Sequence, residues 1–196
     1  MKIERQMIKT NFNGKYCFTH ARGVITPSGF GLITTQPLLL SGSDVFYGMY
    51  ISTTNDFGQT WSELKPSKTL VRRKSSDGKE IAMSDATPIF HKKTGKILLL
   101  GHYAVYSNGN APDGGRPRHT TYAIYDEKAG DFTPFELLQM PDDCKQTYYN
   151  CGNGSGQSLE LENGELLAIG VVTIIFDGVH AVLTSKELMV SPEICD

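Results

Sequence analysis

The chain has no Cys-x-x-C pair, no stripe of basic residues and no apolar run long enough to span a bilayer. Its four cysteines, Cys17, Cys144, Cys151 and Cys195, lack the spacing of a zinc ribbon or a thioredoxin-type centre, so neither a metal nor a cofactor is expected. Free thiols are the expected state, with a Cys144–Cys151 disulfide left open as the alternative. A net charge of -2 and the lack of a basic amphipathic segment exclude a nucleic-acid or membrane-surface partner. The one basic run, 72-RRK-74, sits beside Asp77-Gly78 and reads as a solvated loop. The longest apolar runs, 97-ILLL-100 and 166-LLAIGVVTIIF-176, fall short of a membrane span. The first ten residues, 1-MKIERQMIKT-10, carry charges where a secretory leader needs apolar residues, and they leave the localisation open. No segment keeps a helical period, and there is a single tryptophan.

What the chain does have is repetition. The stretches 22-RGVITPSGFGLITT-35, 86-ATPIFHKKTGKILLLG-101 and 156-GQSLELENGELLAIG-170 each read as apolar run, glycine turn, apolar run. Asn163-Gly164 between apolar runs is a strong hairpin signal, because both residues tolerate positive φ. Each hairpin is followed by further β-rich material: 45-VFYGMYIST-53, 120-TTYAIYDE-127 and 178-GVHAVLTS-185. Four strands per repeat, joined as a meander, is the size of a β-propeller blade. The expected fold is all-β: a partial, about three-bladed portion of a six-bladed-type β-propeller built of four-stranded antiparallel meander sheets. The blades fall at about 17–66, 82–140 and 152–190, in one unit spanning 1–196. A closed ring at this period needs roughly 400 residues, so the chain is expected to be incomplete or to self-associate over its open blade edges.

The tryptophan stands in 54-TNDFGQTW-61. Thr54, Asp56, Gly58, Thr60 and Trp61 spell [S/T]-x-D-x-G-x-T-W and resemble the Asp-box of the sialidase (neuraminidase) superfamily. Such a loop is held by the Asp56 carboxylate and the Thr54 and Thr60 hydroxyls, with a positive φ at Gly58. The resemblance implies that these five residues are structural and lie away from the active site, with Trp61 covering the outer strands. A degraded version stands at 125-YDEKAGDF-132. Two further stretches, 83-MSDATPIFHKKTGKILLL-100 and 152-GNGSGQSLELENGELLAIG-170, are similar to the openings of the family's second and third blades.

The resemblance implies a site for a terminal sialic acid. Its carboxylate calls for arginine forks, and the family's nucleophile is tyrosine rather than a second carboxylate. Arg22 is placed like the first arginine of the family's carboxylate-binding cluster; the alternative is a rim salt bridge. Asp44, in 41-SGSD-44, is placed like the acid/base aspartate on its mobile loop; the alternative is a turn cap. Asp85 and Gln157 are placed to line the pocket from the second and third blades.

The departures limit the expectation. No arginine stands in 34-TTQPLLL-40, where a second one is expected, and Arg116 or Arg118 would have to substitute from 107-SNGNAPDGGRPRH-119. His102 and His119 flank that loop as structural or exposed histidines. No residue is assigned as nucleophile. The implied function is a sialidase-like glycoside hydrolase of the exo-alpha-sialidase type, inactive or incomplete in this chain, with a glycan or sialoside as partner. A non-catalytic carbohydrate-binding propeller and an Asp-box hydrolase of another sugar are the alternatives.

Overall fold

The computed structural model describes residues 5–7, 12–42, 44–107, 109, 118–139, 152, 158–168, 172–176 and 181–184, with 168, 172–176 and 181–184 described by backbone alone. No helix occurs among them, and so none is long and apolar enough to cross a membrane. The chain is all-β. Its first sheet is a meander of β1 (Tyr16–Ile25), β2 (Gly31–Leu39), β3 (Tyr50–Thr54) and β4 (Lys65–Pro66), antiparallel throughout. The second sheet holds β5 (Arg73–Lys74), β6 (Glu80–His91), β7 (Lys96–Tyr106), β8 (Thr120–Asp126), β9 (Asp131–Phe132) and β10 (Glu136–Leu137). The third, β11 (Ser158–Glu160), β12 (Glu165–Ala168), β13 (Val172–Phe176) and β14 (Ala181–Thr184), is again a four-stranded meander. Three successive meanders of this kind make a partial β-propeller.

The turns follow from local chemistry. Gly29, Gly95 and Gly164 close the three leading hairpins at φ of 89°, 69° and 85°, a region that side chains other than Gly, Asn and Asp avoid. The alternation of each strand then decides which face is buried. Leu32, Met49 and Ile51 of the first sheet and its connections meet Ile81, Met83 and Leu99 of the second in one apolar layer. Each such side chain contributes about 1.5–3 kcal/mol by leaving water. The third sheet is tied on by hydrogen bonds as well: Glu160 accepts the Lys92 and Lys93 amides at 2.6 and 2.9 Å. The imidazole of His91, fully buried, donates Nε2–H to the Gly164 carbonyl at 2.9 Å, since a carbonyl can only accept.

Two features depart from the sequence reading. The run 72-RRK-74 is not a loop: Arg73 and Lys74, though exposed, pair with Ile81 and Glu80 as β5, because β6 extends far enough to offer them an edge. The Arg72 guanidinium is 9% exposed, paired to Glu80 at 2.6 Å and stacked on Tyr106 and Tyr47 with 4.1 and 5.2 Å to the ring centroids. The second sheet consequently carries more than four strands.

The other decisive feature is a matched pair of bulges. Thr19 pairs with Gln36 and Arg22 with Thr34, so His20 and Ala21 together oppose Thr35. Ser84 pairs with His102 and Thr87 with Leu100, so Asp85 and Ala86 together oppose Gly101. The registers superpose His20 on Asp85, Arg22 on Thr87 and Ile33 on Leu99. Bulges re-aim side chains and end regular pairing, and these two face each other across the first and second sheets.

Candidate functional site

The bulges bring three polar side chains together. Arg22 Nη2 donates to Asp85 Oδ1 at 2.6 Å, and Nη1 donates to the Asp85 carbonyl at 2.7 Å. His20 Nδ1 lies 3.1 Å from the same carboxylate oxygen. Arg22 and Asp85 are 21% and 17% exposed, so their charge-assisted contact is only partly screened by solvent. Gln36, fully buried, fixes the second bulge from the first sheet: its Oε1 accepts the Asp85 amide at 2.8 Å while Nε2 donates to the Tyr47 carbonyl at 3.1 Å.

Asp44 stands on the loop after β2. That loop is pinned by Leu39 N–H to the Val45 carbonyl at 3.0 Å and by a bridge between Leu38 and Phe46. The Phe46 ring packs on His20 with centroids 5.3 Å apart, which joins the loop to the Arg22–Asp85 pair. The Asp44 carboxylate is 54% exposed and lies 3.7 Å from Arg118, itself 52% exposed. Such an open pair adds under about 1 kcal/mol and yields readily to a ligand. His20, Asp44 and Asp85 all have φ between 53° and 56°; Phe57 is the fourth non-glycine residue in that region among those described. Left-handed backbone at bulky or polar residues is kept only where the surroundings enforce it, and His20 and Asp85 meet at 3.1 Å across the two sheets.

Of the residues expected in the site, Arg22 and Asp85 are in contact, Asp44 is connected through Phe46 and His20, and Gln157 lies outside the described residues, as do Arg116, Cys144 and Cys151. Cys17 is partly buried as a free thiol. His102 is buried, and His119 packs on Tyr103 with ring centroids 6.3 Å apart. His20 and Gln36 had no sequence signal, since their roles come from a bulge and from a partner 49 positions away. Among the described residues no group of three His, Cys, Asp or Glu side chains is placed to hold a metal.

The loop around Asp56 follows β3 and lies at the β1–β2 turn. Thr60 donates to both Asp56 oxygens, from its amide at 2.8 Å and its hydroxyl at 2.6 Å. The Thr54 hydroxyl donates at 2.7 Å. The Thr60 hydroxyl and amide, then the Thr54 hydroxyl, hold the Asp56 carboxyl down at about 2. Trp61 donates to the Gly58 carbonyl at 3.1 Å and, with Arg22, Gly23, Ile25 and Ile33, lines a groove of about 330 Å³ along β1 and β2. Phe57 N–H donates to the Gly29 carbonyl at 3.0 Å, so this loop abuts the β1–β2 turn. The Asp44 loop follows the opposite end of β2, ~26 Å away at the rise of an extended strand.

No protein-family model and no curated protein sequence matches the chain. Among solved structures it is similar to the Hadza microbial sialidase Hz136, with a TM-score of 0.55 and 18% identity over 82% of this chain. The likeness is one of fold. This chain spans 33% of that protein's length.

Proposed function

We propose that the chain carries the carboxylate-binding and proton-donating side of a sialidase-like glycoside hydrolase site. The observation that supports this best is the Arg22–Asp85 pair, formed between two bulges and bordered by the Asp44 loop. In this reading Arg22 receives the carboxylate of a terminal sialic acid, with Asp85 orienting the guanidinium and limiting its freedom before the ligand arrives. Asp44, on an exposed loop, delivers a proton to the glycosidic oxygen once the sugar is seated. The Thr54–Trp61 loop is an Asp-box, a structural clasp whose Asp56 carboxylate is taken up by Thr54 and Thr60. This reading names no nucleophile, and in it the chain binds sialosides with little or no turnover.

An NMR titration with 3′-sialyllactose and with lactose tests the reading. The sialoside is expected to bind and lactose to bind at least about tenfold more weakly, a difference that Arg22→Ala erases. Equal binding of both sugars by the wild-type chain, or strong release of sialic acid from a fluorogenic sialoside, overturns it.

A second reading has an observation of its own. Gln36, where a second arginine is expected, is uncharged and spends its amide on the backbone of Tyr47 and Asp85. A site whose Arg22 is already paired to Asp85 also fits a non-catalytic module that binds neutral glycans. In that case lactose binds as well as its sialylated form, and Arg22→Ala changes neither.

A further inference from the structure

Tyr106 ends β7 in the second sheet and is fully buried. Its hydroxyl donates to the Asp44 carbonyl at 3.0 Å and accepts the Phe46 amide, also at 3.0 Å. One oxygen thereby bridges the backbone on both sides of Val45, which is itself buried. The ring is held in turn: Arg72 lies 4.1 Å from its centroid and is anchored by Glu80 at 2.6 Å. All this fixes a stretch of chain in which Asp44 adopts a φ of 53°. An aspartate tolerates that conformation but prefers negative φ when free.

We propose that Tyr106 is a positioning residue for Asp44, reaching from the second sheet to set where the carboxylate of the first sheet's loop stands. The proposal rests on the reading of Asp44 as proton donor. A general acid must come within hydrogen-bond reach of the leaving oxygen, and a displacement near 1 Å carries a penalty of up to about a hundredfold. An exposed loop with a left-handed residue at its tip does not hold that tolerance alone. The Tyr106 hydroxyl supplies the constraint, and the Arg72 guanidinium on its face keeps the ring from tilting. The loop stays open to solvent at the Asp44 carboxylate while its backbone is fixed from behind, as a group that must meet a ligand requires.

Tyr106→Phe removes the hydroxyl and keeps the ring under Arg72. The measurements are the exchange rate of the Phe46 amide, the melting temperature, and 3′-sialyllactose affinity, each taken with Asp44 intact and in an Asp44→Ala background. Tyr106→Phe is expected to speed Phe46 amide exchange at least about tenfold and to weaken the sialoside about fivefold. In the Asp44→Ala background it is expected to weaken binding by less than about twofold, because the residue it positions is gone. Equal losses in both backgrounds show general packing and overturn the role, and so does an unchanged Phe46 exchange rate. If Tyr106→Phe does not fold, Arg72→Met is put through the same cycle, and an Asp44-independent loss there overturns the role. A wild-type chain that binds no 3′-sialyllactose ends the proposed function and this role with it. That failure is visible before any variant is made, so the two are told apart.

Discussion

Arg22 and Asp85 lie 63 positions apart in the chain and 2.6 Å apart in space, Asp85 within the bulge of the second sheet and Arg22 directly after the bulge of the first. The pair is both a joint between sheets and the charged centre of the candidate site. Removing one partner strands the other about four-fifths buried, which costs more than the net contribution of the intact pair. Asp85→Ala is expected to destabilise the chain by about 1–3 kcal/mol in urea unfolding. Asp85→Asn is expected to cost less, because Asn tolerates a φ of 56° and still offers an acceptor to Arg22. Equal costs for the two variants remove the backbone conformation from the explanation.

The Asp56 loop makes a pH prediction whose sign follows from its depressed pKa. The folded carboxyl sits at about 2, against about 3.9 in an unfolded chain. Its contribution is therefore fully present above about pH 4, declines as the pH falls, and is gone once the pH passes below about 2. Asp77, also held at about 2, first by the Ser75 hydroxyl, titrates in the same window. The difference between wild type and Asp56→Asn isolates the loop. That difference in melting temperature is expected to shrink steadily from pH 5 to pH 2; a constant gap means the carboxylate charge is irrelevant.

Ile33 and Leu99 occupy matching positions of the first and second sheets, yet only Leu99 is fully buried. Leu99→Ala is expected to cost about 2–5 kcal/mol and Ile33→Ala about 1 kcal/mol or less, since Ile33 lines an open groove. The comparison also tests self-association. If a second copy covers that face, light scattering shows a dimer and Ile33→Ala dissociates it; a monomer with a cheap Ile33→Ala leaves the face uncovered.

The parts of this structure that were legible in the sequence are the local ones. The turns at Gly29, Gly95 and Gly164 follow from residues that take positive φ, and the β character follows from alternation within a few positions. Arg22, Asp44 and Asp85 were visible because they sit in stretches resembling a known pattern. What holds them was not. Gln36 reaches Asp85, Tyr106 reaches Asp44, and the bulges at His20 and Asp85 exist only in the pairing with a neighbouring strand. Arg72 shows the reverse error: a basic run beside a turn looks solvated until two aromatic rings and Glu80 are brought to it from elsewhere.

Gly101 links the fold to the site and gives the last prediction. It faces the second bulge, and a Cβ there would stand 2.9 Å from both the Ala86 Cβ and the Ser84 carbonyl oxygen. Neither neighbour is the end of a flexible side chain, so Gly101→Ala must push β6 away at Asp85. Overpacking of this kind costs about 1–3 kcal/mol. The displacement also lengthens the Arg22 contact, since Arg22 bonds to the backbone carbonyl of Asp85 as well as its side chain. Gly101→Ala is therefore expected to lower both stability and Arg22-dependent sialoside binding, whereas Gly95→Ala, with nothing within 4 Å of its Cβ, strains only its own turn and lowers stability alone. If the two variants affect binding equally, the bulge does not set the Arg22–Asp85 geometry.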